Sequence, residues 1–176
     1  MPISYHTQSV FRVSPITRAS SNLEGHTESL LVTSFAPDGS SLATGAGDAT
    51  VRIWDLSTET PQFTMNGHTN WVLVVAWAPN GAYLASAGMD GKLIIWNPET
   101  SDMIKKFDAH NKHINALAWI PMHVDAACAR IATASKDKTV RVFDVVRKVL
   151  LFTLTTHTAS VTKVLWGGEG YIYTAS

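Results

Sequence analysis

Short apolar runs broken by turn residues dominate the chain, and they recur. Residues 51–54, 93–96 and 140–143 are almost wholly apolar, and each run ends on a large ring: Trp54, Trp96 or Phe143. Upstream of the first two lie residues 30–36 and 71–78, which stop at Pro37-Asp38-Gly39 and Pro79-Asn80-Gly81. Asp-Gly and Asn-Gly tolerate positive φ and mark tight hairpins. A further strand is predicted between each such turn and Asp48, Asp90 or Asp137, and a fourth passes through Phe63, Phe107 or Phe152. The pattern therefore predicts four short strands per repeat. An aromatic stands nine residues after each of His26, His68, His110 and His157, namely Phe35, Trp77, Trp119 and Trp166. Rings at one fixed place suit the space between stacked sheet faces.

The polar positions keep the same period. Gly25-His26, Thr44, Asp48 and Trp54-Asp55 are followed, after steps of 42 residues, by Gly67-His68, Ser86, Asp90 and Trp96. A third set runs Ala109-His110, Thr133, Asp137 and Phe143-Asp144, and a fourth opens at Thr156-His157 and reaches Thr174. A period of about 40–45 residues closing on Trp-Asp is the mark of propeller blades, and the chain resembles the WD40 repeat family. An all-β, partial β-propeller is expected, with three complete four-stranded blades and part of a fourth. The repeats fall at residues 25–66, 67–108, 109–155 and 156–176. Residues 1–24 precede them, with 10–20 expected as the outer strand that clasps a ring shut. Rings usually hold about four to eight blades, so the chain reads as a piece of a longer protein. Its unclosed edges predict no stable monomer on its own.

Histidine, hydroxyl and aspartate in every repeat invite a catalytic triad. An active site is needed once, however, and no Gly-x-Ser-x-Gly elbow is present. A structural reading fits the spacing better. A buried indole N–H needs an acceptor. Thr44 can accept from Trp54 and donate to His26, whose other nitrogen can donate to Asp48. Phe143 has no N–H, so the set His110, Thr133 and Asp137 is expected to be incomplete and its blade softer. The repeat histidines lie in separate blades, too far apart for zinc. Gly45-Ala46-Gly47 leads into a strand rather than a helix, which excludes a phosphate loop. No catalytic, metal or cofactor residue is therefore expected.

The third repeat departs from the spacing. His110 to Thr133 spans 23 residues where His26 to Thr44 spans 18. The extra length falls near 120–130 and replaces a tight hairpin, making Pro121, His123 and Arg130 candidate interaction residues.

Composition adds little except in its distribution. The net charge is zero over 176 residues, yet residues 1–103 carry four basic and nine acidic side chains, and residues 104–176 carry ten and five. The basic end suits an acidic partner such as RNA. Cys128 is the single cysteine, so no internal disulfide can form, which suits a reducing compartment. No long apolar run or secretion signal is present, and an intracellular location is expected.

Some stretches are more particular than a blade requires. Ile3-Ser4-Tyr5, Gln8, Val10-Phe11-Arg12-Val13 and Pro15-Ile16-Thr17-Arg18 lead into the first repeat. Leu56-Ser57-Thr58-Glu59-Thr60-Pro61 follows its Trp-Asp. Trp119-Ile120-Pro121-Met122-His123 opens the insertion, and Val161-Thr162 and Trp166-Gly167-Gly168-Glu169-Gly170 occupy the fourth repeat. Together these resemble the Notchless family. The resemblance implies a nuclear and nucleolar scaffold of large-ribosomal-subunit assembly, carried on pre-60S particles and meeting their rRNA and ribosomal proteins. Members engage a midasin-type AAA ATPase through a ubiquitin-like domain, which the resemblance places before this chain. A link to Notch signalling is also implied for animal members. The alternative is a generic WD40 adaptor that binds peptides, with no ribosomal role.

Overall fold

The computed structural model describes residues 23–176. The outer strand expected at 10–20 lies outside the described residues. From there the chain forms three four-stranded antiparallel sheets and a two-stranded hairpin, each built from consecutive strands. The first sheet holds β1 (Leu30–Phe35), β2 (Ser41–Ala46), β3 (Thr50–Asp55) and β4 (Thr60–Asn66). The second holds β5 (Val72–Trp77), β6 (Leu84–Gly88), β7 (Leu93–Trp96) and β8 (Met103–Phe107). The third holds β9 (Ile114–Trp119), β10 (Arg130–Ser135), β11 (Val140–Asp144) and β12 (Val149–Leu154), and β13 (Lys163–Trp166) pairs with β14 (Ile172–Ala175).

The turns follow the residues that set them. Gly39 and Gly81 adopt φ of 75° and 76°, and their N–H groups close on the carbonyls of Ala36 and Ala78 at 2.9 and 2.8 Å. A side chain at either position would be held in the left-handed region that glycine enters freely. Pairing is also repeated from sheet to sheet. Leu42 faces Trp54, Leu84 faces Trp96 and Ile131 faces Phe143. In each sheet the ladder to the outermost strand slips at that same ring, at Ile53/Trp54, Ile95/Trp96 and Val142/Phe143.

The core lies between sheets rather than within one. Val51, Ile53 and Met65 of the first sheet pack on Val72, Leu84 and Ile94 of the second. Leu93, Ile95 and Phe107 pack in turn on Ile114, Ile131 and Phe143. Ala132, Val140 and Val142 meet Val161 and Val164. The second sheet is covered on both faces, which explains why every residue of β6 and β7 is buried. A strand buried on both sides has no need of alternating polarity.

The ring nine residues after each histidine does more than fill space. Trp77 Nε1 donates to Ser34 O of the preceding sheet at 3.0 Å, and Trp119 Nε1 donates to Ala76 O at 2.9 Å. Each indole thus fastens one inner strand to the next. Phe35, at the same spacing in the first sheet, is 64% exposed among the described residues. Trp166 Nε1 is buried with no hydrogen-bond partner among the described residues.

Candidate functional site

The repeated polar side chains converge at one end of the sheets, where β2 turns into β3 and where each sheet passes to the next. In the first blade Trp54 Nε1 donates to Thr44 Oγ1 at 2.9 Å, and Thr44 Oγ1 lies 2.8 Å from His26 Nε2. His26 Nδ1 lies 3.0 Å from Asp48 Oδ2, which also accepts from Thr27 N at 3.0 Å. A carboxylate can only accept, so Nδ1 carries the proton and Nε2 is the acceptor for the Thr44 hydroxyl. Every donor then has one acceptor. The second blade repeats the chain through Trp96, Ser86, His68 and Asp90, with 2.8, 2.8 and 2.9 Å links.

In the third blade His110 Nε2 lies 2.7 Å from Thr133 Oγ1, and His110 Nδ1 lies 2.8 Å from Asp137 Oδ2. Phe143 supplies no N–H. The Thr133 hydroxyl also reaches Arg141 O at 3.2 Å, so its single proton serves two acceptors. The loss relative to the other blades is therefore confined to one donor, and His110 and Thr133 stay buried. In the fourth repeat His157 lies 2.7 Å from Thr174 Oγ1 and 3.0 Å from Ser176 Oγ.

Thr50 and Thr139 also take part, at positions the histidine spacing does not point to. Thr50 Oγ1 donates to Asp48 Oδ1 at 2.7 Å, and Thr139 Oγ1 donates to Asp137 Oδ1 at 2.6 Å. The signal was a threonine two residues after the aspartate in repeats one and three, where repeat two has Lys92. The residue before each histidine is fixed by the ring it faces. A Cβ on Gly67 would stand 2.8 Å from Trp96 Cη2, and one on Gly25 would stand 3.1 Å from Trp54 Cη2. Ala109 holds this place in the third blade, where the facing ring is the smaller Phe143. Glycine goes with tryptophan and alanine with phenylalanine, as close packing requires.

Burial decides what these groups can do chemically. Thr44, Ser86 and Thr133 are 3%, 0% and 0% exposed, so their hydroxyls lie where no substrate can reach them. For Asp48, Asp90 and Asp137, burial opposes ionisation, but hydrogen bonds from Thr50 and Thr27, from His68, and from Thr139 and His110 outweigh it. All three pKa values lie below the ordinary aspartate value. Burial, assisted by the charge of Arg141, lowers His110 against the opposing pull of Asp137. His113 is lowered by burial and by the charges of Lys136 and Lys112.

These directions set an acid response. A histidine kept neutral by the fold contributes stability that is fully present above its unfolded pKa of about 6.5 and is lost as pH falls below that value. The aspartates contribute stability that holds above about pH 4 and fades only below it. The third blade, which holds His110 and His113, should therefore weaken first on acidification. Amide exchange at about pH 7.5 and about pH 5 should show β9–β11 losing protection before β2 and β3. Equal loss in all blades would contradict this.

The insertion at 120–130 is ordered by its own turns. Pro121 O accepts from Val124 N and Asp125 N at 3.0 and 3.1 Å, and the Asp125 carboxylate accepts from Ala127 N at 3.1 Å. Asn80 Nδ2 of the second blade donates to Ala127 O at 3.1 Å. His123 Nε2 lies 3.7 Å from where a Cβ on Gly168 would stand. The segment thus ties the third blade to the second. His123 and Arg130 are exposed and Pro121 is half-buried. Cys128, within the insertion, is buried. Among the described residues, no three His, Cys, Asp or Glu side chains gather in a way that could hold a metal ion.

The basic residues are less scattered than the sequence alone indicates. Lys112 and His113 precede β9, and Lys136 and Lys138 sit in the β10–β11 turn. Lys136 N donates to His113 O at 3.1 Å, joining the two loops. Lys112, Lys136 and Lys138 are exposed on the same end of the sheets as the histidine–aspartate pairs.

The WD domain, G-beta repeat family matches residues 17–55, 59–97 and 101–144. The chain is 53% identical over 175 residues to the Notchless protein homolog of Arabidopsis thaliana, covering 99% of this chain and 37% of that protein. It is 51% identical over 175 residues to Protein Notchless of Drosophila melanogaster, covering 99% and 36%. Ribosome assembly protein 4 of Chaetomium thermophilum is 45% identical over 175 residues, covering 98% and 34%. The chain thus spans roughly a third of the length of these curated relatives. Among solved structures, the RRP9 WD40 repeats superpose with a TM-score of 0.75 at 24% identity, covering 81% of this chain and 43% of that one, and U3-55K gives 0.75 at 23%, covering 81% and 44%. Those likenesses establish the fold alone. With three matched repeats on three stacked four-stranded sheets, the chain belongs to the WD40 repeat family and matches Notchless proteins over nearly its whole length.

Proposed function

We propose that this chain is the blade-bearing part of a non-catalytic scaffold in ribosome biogenesis, one that binds pre-60S particles in the nucleolus and nucleus. The observation that carries the reading is the identity, from 45% to 53% across nearly all of the chain, to proteins named Notchless and Ribosome assembly protein 4. The polar networks support a scaffold role, because their hydroxyls are sealed beneath indole and phenyl rings. The cluster of Lys112, Lys136 and Lys138 supports an acidic partner and offers ammonium groups to rRNA phosphates. The insertion residues Pro121, His123 and Arg130 lie at the other end of the sheets and are available to a ribosomal protein. These blades are not assigned the contact with a midasin-type ATPase that the resemblance gives to a ubiquitin-like domain.

Depleting the full-length protein should lower free large subunits relative to small ones, and re-expression of the wild type should restore them. Full-length protein carrying Lys112→Glu, Lys136→Glu and Lys138→Glu should restore them poorly. Unchanged subunit levels on depletion would overturn the ribosomal reading and favour a peptide-binding adaptor.

A further inference from the structure

We infer that the end of the sheets opposite the histidine–aspartate pairs carries a docking groove for an extended, basic, proline- or leucine-bearing segment of a partner protein. In an antiparallel sheet of consecutive strands, the first-to-second and third-to-fourth turns share one end. The groove lies there, between the first two blades, with a volume of about 640 Å³. That size lies within the usual range of about 300–1,000 Å³ for ligand sites. Its floor is the half-buried ring of Trp77, held in place by its bond to Ser34 O. Pro37 and Pro98 line its sides, and Met122 of the insertion, 50% exposed, forms part of the wall. Asn80, bonded to Ala127 O at 3.1 Å, holds that wall against the second blade.

The rim decides the occupant. Asp38 and Glu99 line the groove, and among the described residues no lysine or arginine does. Ser40 fixes the Asp38 carboxylate through its N–H at 3.1 Å and its hydroxyl at 2.8 Å. The bias extends beyond the groove. The turns at 36–41, 55–60, 78–84 and 97–103 contain Asp38, Asp55, Glu59, Glu99 and Asp102 and not one basic residue. A flat indole flanked by prolines favours proline rings and aliphatic side chains, and the acidic rim favours arginine or lysine beside them. The same rim repels nucleic acid. The groove is independent of the lysine cluster, which sits at the opposite end of the sheets, and the inference stands or falls apart from the ribosomal reading.

The test uses the full-length protein and three labelled probes: a peptide of about 12 residues alternating arginine, proline and leucine, its glutamate counterpart, and a polyuridine of similar length. The arginine peptide should bind, the glutamate peptide should not, and Asp38→Lys with Glu99→Lys should weaken binding by at least about tenfold. Met122→Ser, which removes apolar surface and leaves the charges of the groove unchanged, should weaken it as well. Glu28→Lys, on the other end of the sheets, should leave it unchanged. Failure of the arginine peptide to bind would overturn the inference, as would equal binding by the rim variants. Polyuridine binding lost in the rim variants would assign the groove to nucleic acid instead. A concentration-dependent doubling of mass abolished by the same variants would assign it to a second copy of the chain.

Discussion

Replacing Ser86 with alanine should lower stability by about 2–6 kcal/mol, because it leaves two buried groups without partners at about 1–3 kcal/mol each. Trp96 Nε1 loses its acceptor and His68 Nε2 loses its hydroxyl donor, both now held at 2.8 Å. Ser86 is completely buried, so water cannot take the place of the hydroxyl. Ser86→Thr should stay within about 1 kcal/mol of wild type, because threonine suits a strand and keeps the hydroxyl. Thr44 and Thr133 already occupy the same register in the neighbouring blades. Thr133→Ala should cost less in hydrogen bonding than Ser86→Ala, since Phe143 has no N–H to orphan. Urea denaturation of the three variants in the full-length protein gives the order. If Ser86→Ala and Ser86→Thr melted alike, the hydroxyl would not be the link between indole and imidazole.

The second large effect concerns shape. Gly67→Ala should cost about 1–3 kcal/mol, the usual range for overpacking. The new methyl would stand 2.7 Å from Met103 Cε and 2.8 Å from Trp96 Cη2. Met103 can move aside, but Trp96 is 2% exposed and tied to Ser86. Trp96→Phe alone should cost about 1 kcal/mol for the lost bond, plus some packing. Together the two should cost less than their sum by about 1 kcal/mol or more, the sign of direct coupling. The third blade shows why, since Ala109 and Phe143 combine there without a clash. Strict additivity in this double-mutant cycle would contradict the complementarity of the two positions.

Much of the architecture could be read from spacing, because every blade must solve the same problem at the same positions. Gly39 and Gly81 name their hairpins, and the runs ending at Trp54, Trp96 and Phe143 name the third strands. The histidine spacing points to side chains that the structure sets within hydrogen-bonding distance. Other features left no such signal. Trp77 and Trp119 bond to backbone carbonyls of the preceding blade, and a carbonyl acceptor is the same in every residue. Phe35 shares their spacing yet lies exposed, since exposure depends on what packs over the first sheet. The insertion reads as extra length, and only the bond from Asn80 reveals it as a bridge between blades. Lys112 and Lys136 are 24 residues apart in sequence. They become neighbours once the loops before β9 and after β10 are known to share an end, which charge counting cannot supply.

The most direct measurement is the sedimentation of tagged full-length protein in a gradient that separates free protein from ribosomal precursors. It should travel with particles containing large-subunit precursor rRNA, and added salt should release it, as phosphate contacts require. A full-length protein found only in the light fractions at low salt, in cells actively making ribosomes, would contradict a role on those particles.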